Sequence, residues 1–387
     1  MQITLPNPNG TLVPYRLTGT PIAATSRKAS DFNRVAFAAA HVVVDPLADA
    51  DPWGDCPIDW DATLAYRHHL WDLGFGVAEA MDTAQRGGGL DWPAARDLIR
   101  HAVADARSHG NALIACGVGT DHLPVGPDVT IDAVIRAYET QLEFVEAQGG
   151  RVILMASRAL AAAAKGPDDY ARVYDRVLRQ ASQPVILHWL GEMFDPALKG
   201  YWGHADHMQA METCLDVIAA NHAKVDGIKI SLLSAEKEIA MRNRLLPDVR
   251  MYTGDDFNYA ELISGDSLGH SDALLGIFDA IAPAASEGLA RMAKGDVAGF
   301  HHILGPTVAL SRHIFKAPTR FYKTGVVFLA WLNGYQSHFT MLGGQQSARS
   351  LLHFAELFRL ADQARCLRDP ELAVKRMGQF LAIGGLA

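Results

Sequence analysis

Apolar positions come in short, almost unbroken runs along the first three quarters of the chain, and amphipathic stretches separate them. The runs are "RVAFAAAHVV" from Arg34, "GFGVAEAM" from Gly74, "ALIACGVG" from Ala112, "RVILMAS" from Arg151, "PVILHWL" from Pro184, "VDGIKIS" from Val225, "VRMYTGDD" from Val249 and "ALLGIFD" from Ala273. Each is apolar throughout instead of alternating, which predicts a parallel strand covered on both faces. Between most of them, apolar residues recur three and four apart, as in "WDATLAYRHHLWDL" and "DVTIDAVIRAYETQLEFVEAQ", and predict helices. The runs start roughly 24 to 41 residues apart, a spacing that suits βα units with loop insertions. Eight such units make a (β/α)8 TIM barrel, whereas an open doubly wound sheet usually has fewer strands and often a glycine-rich fingerprint near its start. The prediction is an α/β chain whose barrel spans residues 34–290.

The flanks read differently. Residues 1–33 begin with "QITLP", "NPNG" and "TLVPYRL", a strand, turn and strand in which Asn9-Gly10 supplies the positive φ of a tight hairpin, expected as a small cap. Beyond about residue 283 the strand signal stops. The region 291–387 reads as a helical appendage, with "SARSLLHFAELFRLADQARCL" and "PELAVKRMGQFLAI" as helices whose apolar stripes must be hidden on the barrel or on a partner subunit.

The composition of the 387 residues, 49% hydrophobic and 20% charged, is that of an ordinary globular protein. The 35 basic and 43 acidic residues give a net charge of −8 without a long block of either sign, which argues against a nucleic-acid surface. Small anionic ligands stay open, because local fields matter more than the sum. The start, "MQITLPNPNG", lacks a signal peptide's basic and apolar segments, and no stretch reaches the roughly 20 apolar residues of a membrane span. Cys56, Cys116, Cys214 and Cys366 are scattered without a C-x-x-C pair. A cytoplasmic location is expected.

In a barrel, chemistry sits at the C-terminal ends of the strands. The run ends carry His41 and Asp45, then Glu79, Asp82, Thr83, Arg86 and Gly87, then "GVGTDH" from Gly117, then Ser157 and Arg158. His188 and Glu192, Lys229 and Ser231, and finally Thr253, Asp255 and Asp256 follow. Singly, each has an ordinary explanation: His188 as a satisfied core histidine, "GVGTD" as a tight turn, "GDD" as a helix cap, Arg86 as half of an ion pair, His68 and His69 as surface or packing residues. Lys229, in "KVDGIKISLL", reads either as a buried ion-pair member or as a functional amine. Burial lowers an amine's pKa, and a neutral amine can attack a carbonyl to form a Schiff base.

The order of these motifs resembles the dihydrodipicolinate synthase and N-acetylneuraminate lyase superfamily of class I aldolases, over roughly residues 34 to 300. "DGIKIS" resembles its strand-six segment with the Schiff-base lysine, which falls on Lys229. "IACGVGTDH", "VILHWLG" and "MYTGDDF" resemble its turn after strand three, its strand five and its aspartate turn after strand seven. The chain departs from the pattern where His188 replaces a strand-five tyrosine and where "GEMFDP" offers Glu192 in place of an arginine. "MDTAQRGGG" replaces a glycine-threonine-threonine segment, with Thr83 in the relay position and Asp82 added. A carboxylate at Glu192 would repel that of pyruvate, so lysine synthesis is not expected.

The resemblance implies a Schiff-base lyase, aldolase or dehydratase without a cofactor, acting on a keto sugar, sugar acid or keto acid and assembled as a homodimer or homotetramer. Lys229 would be the nucleophile, His188 the general acid and base, and Thr83 the relay. Asp82, His41, Asp45, Ser157, Glu192, Asp255 and Asp256 would meet a hydroxylated ligand, and Arg86 or Arg158 its carboxylate. Two other readings stand beside it. One is a metal-dependent sugar isomerase or epimerase using His41, Asp45, Asp82, His188 and Glu192 as ligands. The other is a non-catalytic barrel that binds a metabolite.

Overall fold

The computed structural model describes residues 1–386. Strands β1 (Gln2–Pro6) and β2 (Leu12–Arg16) pair antiparallel around a turn in which Gly10 takes φ +81° and Asn9 Oδ1 accepts from Thr11 N at 3.1 Å. The hairpin is anchored on the helix Leu351–Gln363. The Tyr15 hydroxyl donates to Asp362 at 2.8 Å, and the Thr18 and Gly19 N–H groups donate to the same carboxylate at 3.0 Å each. Its capping role therefore falls on the C-terminal helices.

Each of the predicted runs supplies one barrel strand: β3 (Ala36–Ala39), β4 (Gly76–Glu79), β5 (Ile114–Val118), β6 (Arg151–Met155), β7 (Val185–Leu190), β8 (Val225–Ser231), β9 (Arg250–Thr253) and β10 (Asp272–Leu275). They pair in chain order, all parallel, and β10 closes on β3, giving a (β/α)8 TIM barrel. Phe37, Ala78, Ile153, Ile186, Tyr252 and Leu274 fill its interior, while alternate residues such as Leu187 and Ile228 pack under the helices. Two buried faces per strand are why the runs lack polar alternation.

The helices Trp60–Asp72 and Ile131–Ala147 form where the three-and-four spacing places them, started by Asp59 and Thr130, whose side chains accept from Ala62 N and Ala133 N. Behind β4, Arg67 and Glu79 form a fully buried fork with both N–O distances at 2.9 Å.

After β10 the chain is helical: Ala282–Ala293, Val297–Ile314, Tyr322–Leu332, Leu351–Gln363 and Pro370–Ile383. Every residue of Tyr322–Leu332 is buried, as expected of a segment apolar nearly all round. The C-terminal region also clasps the glycine turn that follows β4. Gln85 exchanges hydrogen bonds with Leu342 O (2.9 Å) and Leu342 N (3.2 Å), and a Cβ on Gly89 would meet Leu342 at 2.8 Å. Among the described residues no helix is long and apolar enough to cross a membrane.

Candidate active site

The period-two alternation of a strand decides which way Lys229 points. Ile228 and Ile230 face the helices, so Lys229 and Ser231 face the barrel interior; by the same rule Leu187 and Trp189 face out and His188 faces in. His188 and Lys229 are register partners on β7 and β8. Room for the lysine comes from Gly254, where a Cβ would lie 2.8 Å from Lys229 Cε. Lys229 is 7% exposed, and no hydrogen bond or ion pair among the described residues engages its Nζ. Burial lowers its pKa, opposed by the charges of Asp256 and then Asp82.

The groups around the amine are themselves shifted. Burial, and then the charge of Lys229, hold His188 well below the usual imidazole range, so the ring is neutral at neutral pH. Its Nε2 lies 3.3 Å from Ser231 Oγ, and its Nδ1 is buried without a partner. Burial pushes the Asp256 carboxyl up to about 7 against the pull of Lys229, and one of its oxygens accepts from Ile277 N at 2.9 Å.

A cavity of about 180 Å³ at the C-terminal end of the barrel is lined by Asp82, Thr120, Ser157, Arg158, His188 and Asp195, among others. The structure thus gathers Asp82, Ser157, Arg158 and His188 at one cavity and sets Lys229 beside His188. Ser157 caps the helix Arg158–Ala163 and shares a 2.6 Å hydrogen bond with Thr120.

Other expected residues have different tasks. Arg86 reaches the cavity wall, but its guanidinium is held by Asp121 (2.8 and 2.6 Å), Gln141 (2.6 Å) and the Gly117 carbonyl (2.9 Å), which leaves it ill placed to receive a substrate carboxylate. His41 is locked between Asp279 (2.8 Å) and Gln336 (3.1 Å). Asp45 lies on a loop outside the cavity and accepts from Leu47 N. Glu192 pairs with His207 at 3.0 Å, also outside the cavity, and Asp255 accepts from Phe257 N and from the backbone and side chain of Asn258. Of the five donors considered for a divalent ion only Asp82 and His188 share the cavity, and among the described residues no group of three or more His, Cys, Asp or Glu converges as metal ligands do.

Two site residues were not read from the sequence. The Tyr322 hydroxyl lies 2.9 Å from Thr83 Oγ1, and burial, then the charge of Asp82, keep the phenol protonated far above its usual range. Lys323 is buried next to it, within the field of Asp82, Arg158 and Asp195. The available signal was a Tyr-Lys pair opening an otherwise apolar helix, "YKTGVVFLAWL".

Residues 3–386 match the family described as Protein of unknown function (DUF993). The chain belongs to this family. No curated protein matches it in sequence. Among solved structures, it is similar to YagE of E. coli K12, a prophage protein of the dihydrodipicolinic acid synthase family in complex with pyruvate, with a TM-score of 0.66, 15% identity, and coverage of 86% of this chain and 99% of that one. It is similar also to the dihydrodipicolinate synthase of Acinetobacter baumannii complexed with pyruvate (TM-score 0.63, 14% identity, 86% and 99% covered) and to that of Aquifex aeolicus (0.61, 12%, 91% and 98%). At these identities the likeness establishes the fold. This member of the DUF993 family shares the barrel of the dihydrodipicolinate synthases.

Proposed function

We propose that the protein is a Schiff-base-forming lyase or aldolase acting on a hydroxylated keto compound. The observation that carries this reading is Lys229: an amine buried inside the barrel mouth, with lowered pKa, free of hydrogen bonds, beside a neutral histidine. A lysine kept only as an ion-pair member would be expected to hold a carboxylate directly. Similar solved structures that contain pyruvate add support for a carbonyl ligand.

In this mechanism the neutral Lys229 amine adds to the substrate carbonyl, and loss of water gives an iminium. The Thr83–Tyr322 pair relays to the departing hydroxyl a proton taken up from solvent, each hydroxyl gaining one proton as it passes one on, so that the phenol stays neutral. His188, through its unpaired Nδ1, then takes the proton from a hydroxyl two carbons from the iminium carbon. The adjacent C–C bond breaks, and its electrons pass into the iminium to leave an enamine. Protonation of the enamine and addition of water release the second product and restore Lys229. Removing a proton next to the iminium and expelling a hydroxyl from the following carbon would give dehydration at the same site.

Dihydrodipicolinate synthesis is disfavoured because the segment after β7 carries no arginine where the resemblance would place a carboxylate-gripping one; Glu192 there is turned to His207, outside the cavity. Treating the protein with borohydride in the presence of keto sugars and keto acids should add the mass of the reduced substrate to Lys229, and Lys229→Ala should abolish the adduct. A compound that the enzyme consumes without ever labelling Lys229 would overturn the mechanism.

A further inference from the structure

Lys323 is a buried cation that the mechanism above does not use. It is 8% exposed, on a helix with no solvent-facing residue, and no hydrogen bond or ion pair among the described residues engages its Nζ. The Tyr322 ring, 5.4 Å from Nζ, gives it a cation–π contact but no counter-charge, and an ammonium so buried is costly without one. The charges that act on it are Asp82, Arg158 and Asp195, all three of which line the cavity.

Those neighbours leave an opening for an anion. Asp195 is already paired with the Nε edge of Arg158. The other edge of Arg158, Nη1 and Nη2, faces Gly87, where a Cβ would lie 2.9 and 3.2 Å from these nitrogens; φ is +69° there, so a side chain is disfavoured on both counts. No hydrogen bond among the described residues uses Nη1 or Nη2. Asp82 acts on both Lys323 and Lys229, Lys229 also has Asp256, and no carboxylate among the described residues is hydrogen-bonded to Lys323.

We propose that Lys323 and the free edge of Arg158 form an anion receptor, so that the substrate is a hydroxylated keto compound bearing a carboxylate or phosphate remote from its reacting carbonyl. A planar guanidinium edge beside a point-like ammonium suits either oxyanion. The inference rests on the Lys229 reading for which carbonyl reacts, but not for whether the anion binds. It also gives the helix Tyr322–Leu332 a second function, since one turn of it would bring both the relay tyrosine and the receptor lysine to the mouth of the barrel.

The test uses the full chain and three matched probes: a neutral ketose, the same skeleton with a terminal carboxylate, and the same skeleton with a terminal phosphate. Half-saturation of the borohydride adduct on Lys229 should fall about tenfold or more from the neutral probe to at least one anionic probe, and the better of the two names the oxyanion. Lys323→Met should collapse that ratio toward one, and Lys323→Arg should retain most of it. Lys323→Gln replaces the methionine variant if the latter does not fold. A wild-type protein that takes the neutral and anionic probes equally, or a folded Lys323→Met with an unchanged ratio, overturns the receptor. If no probe labels Lys229, the Schiff-base reading fails by itself. Calorimetric binding of the same probes to wild type and Lys323→Met then decides the receptor, with a tenfold loss supporting it and equal affinities refuting it.

Discussion

The hydroxyl of Tyr322 lies 2.9 Å from Oγ1 of Thr83, 239 positions earlier in the chain. That contact ties the first turn of a C-terminal helix to the turn after β4, where the charge of Asp82 acts on both Tyr322 and Lys229. A region outside the barrel thereby reaches the C-terminal end of its strands. Removing the phenol while keeping the ring should leave the aromatic packing of Tyr322 on Phe315 in place and break the relay. Tyr322→Phe is expected to lower turnover on any substrate that labels Lys229 by about 10²-fold or more, the usual scale of general acid–base catalysis. Thr83→Val should cost a similar factor and the double variant little beyond either one. Independent, multiplying losses in steady-state rates would show that the two hydroxyls do not act together.

In the proposed mechanism the charges around Lys229 set the pH at which its amine can add to a carbonyl. Asp256 favours the protonated amine, so the lysine loses its proton more readily when that carboxylate is removed. Asp256→Asn should therefore move the rising limb of adduct formation on Lys229 toward acid, and the Asp256 titration near pH 7 should vanish from the profile. A limb displaced toward alkali would contradict the assignment.

Space beside the lysine is equally specific. A methyl group at Gly254 would lie 2.8 Å from Lys229 Cε, 2.4 Å from Ser231 Oγ and 2.6 Å from the carbonyl oxygen of Ile230. The last contact is backbone and cannot swing away. Gly254→Ala should displace the amine, slow borohydride trapping about tenfold or more and lower the melting temperature. Trapping at the wild-type rate would show that the amine has slack.

Glu238 makes a prediction about stability alone. It accepts from Ser271 Oγ (2.7 Å) and Thr253 Oγ1 (3.0 Å) behind β9, and burial raises its pKa to about 8. The folded state thus holds a proton that the unfolded chain releases near its ordinary carboxylate value of 4.5. Stability falls as pH rises from that value through 8, and the loss is complete above it. Glu238→Gln should flatten this slope and, near pH 9, exceed wild type by on the order of a few kcal/mol in denaturant unfolding. Parallel stability curves for the two proteins from pH 5 to 9 would exclude a buried proton at Glu238.

Arg67 and Glu79 give the opposite case, a fully buried pair that holds the outer face of β4. Arg67→Met strands the Glu79 carboxylate and should cost about 3 to 5 kcal/mol in chemical denaturation. Combining it with Glu79→Leu should recover much of that loss. A double variant no more stable than the single one would show that packing, not charge, dominates there.

The sequence by itself determined what local periodicity controls. Eight continuous apolar runs became eight parallel strands because both faces of each are covered, and a two-residue period turned Lys229 and His188 inward. Those relations are contained within a few neighbouring residues. Tertiary structure decided which polar groups remained free, because that depends on partners far along the chain. Arg86 is engaged by Asp121 and Gln141, His41 by Asp279 and by Gln336, 295 positions away, and Glu192 by His207. It also decided that a helix beyond the barrel carries Tyr322 and Lys323 to the site. Nothing in an apolar helix reveals which strand ends its first turn will face, since that direction is set by packing the helix against the closed barrel.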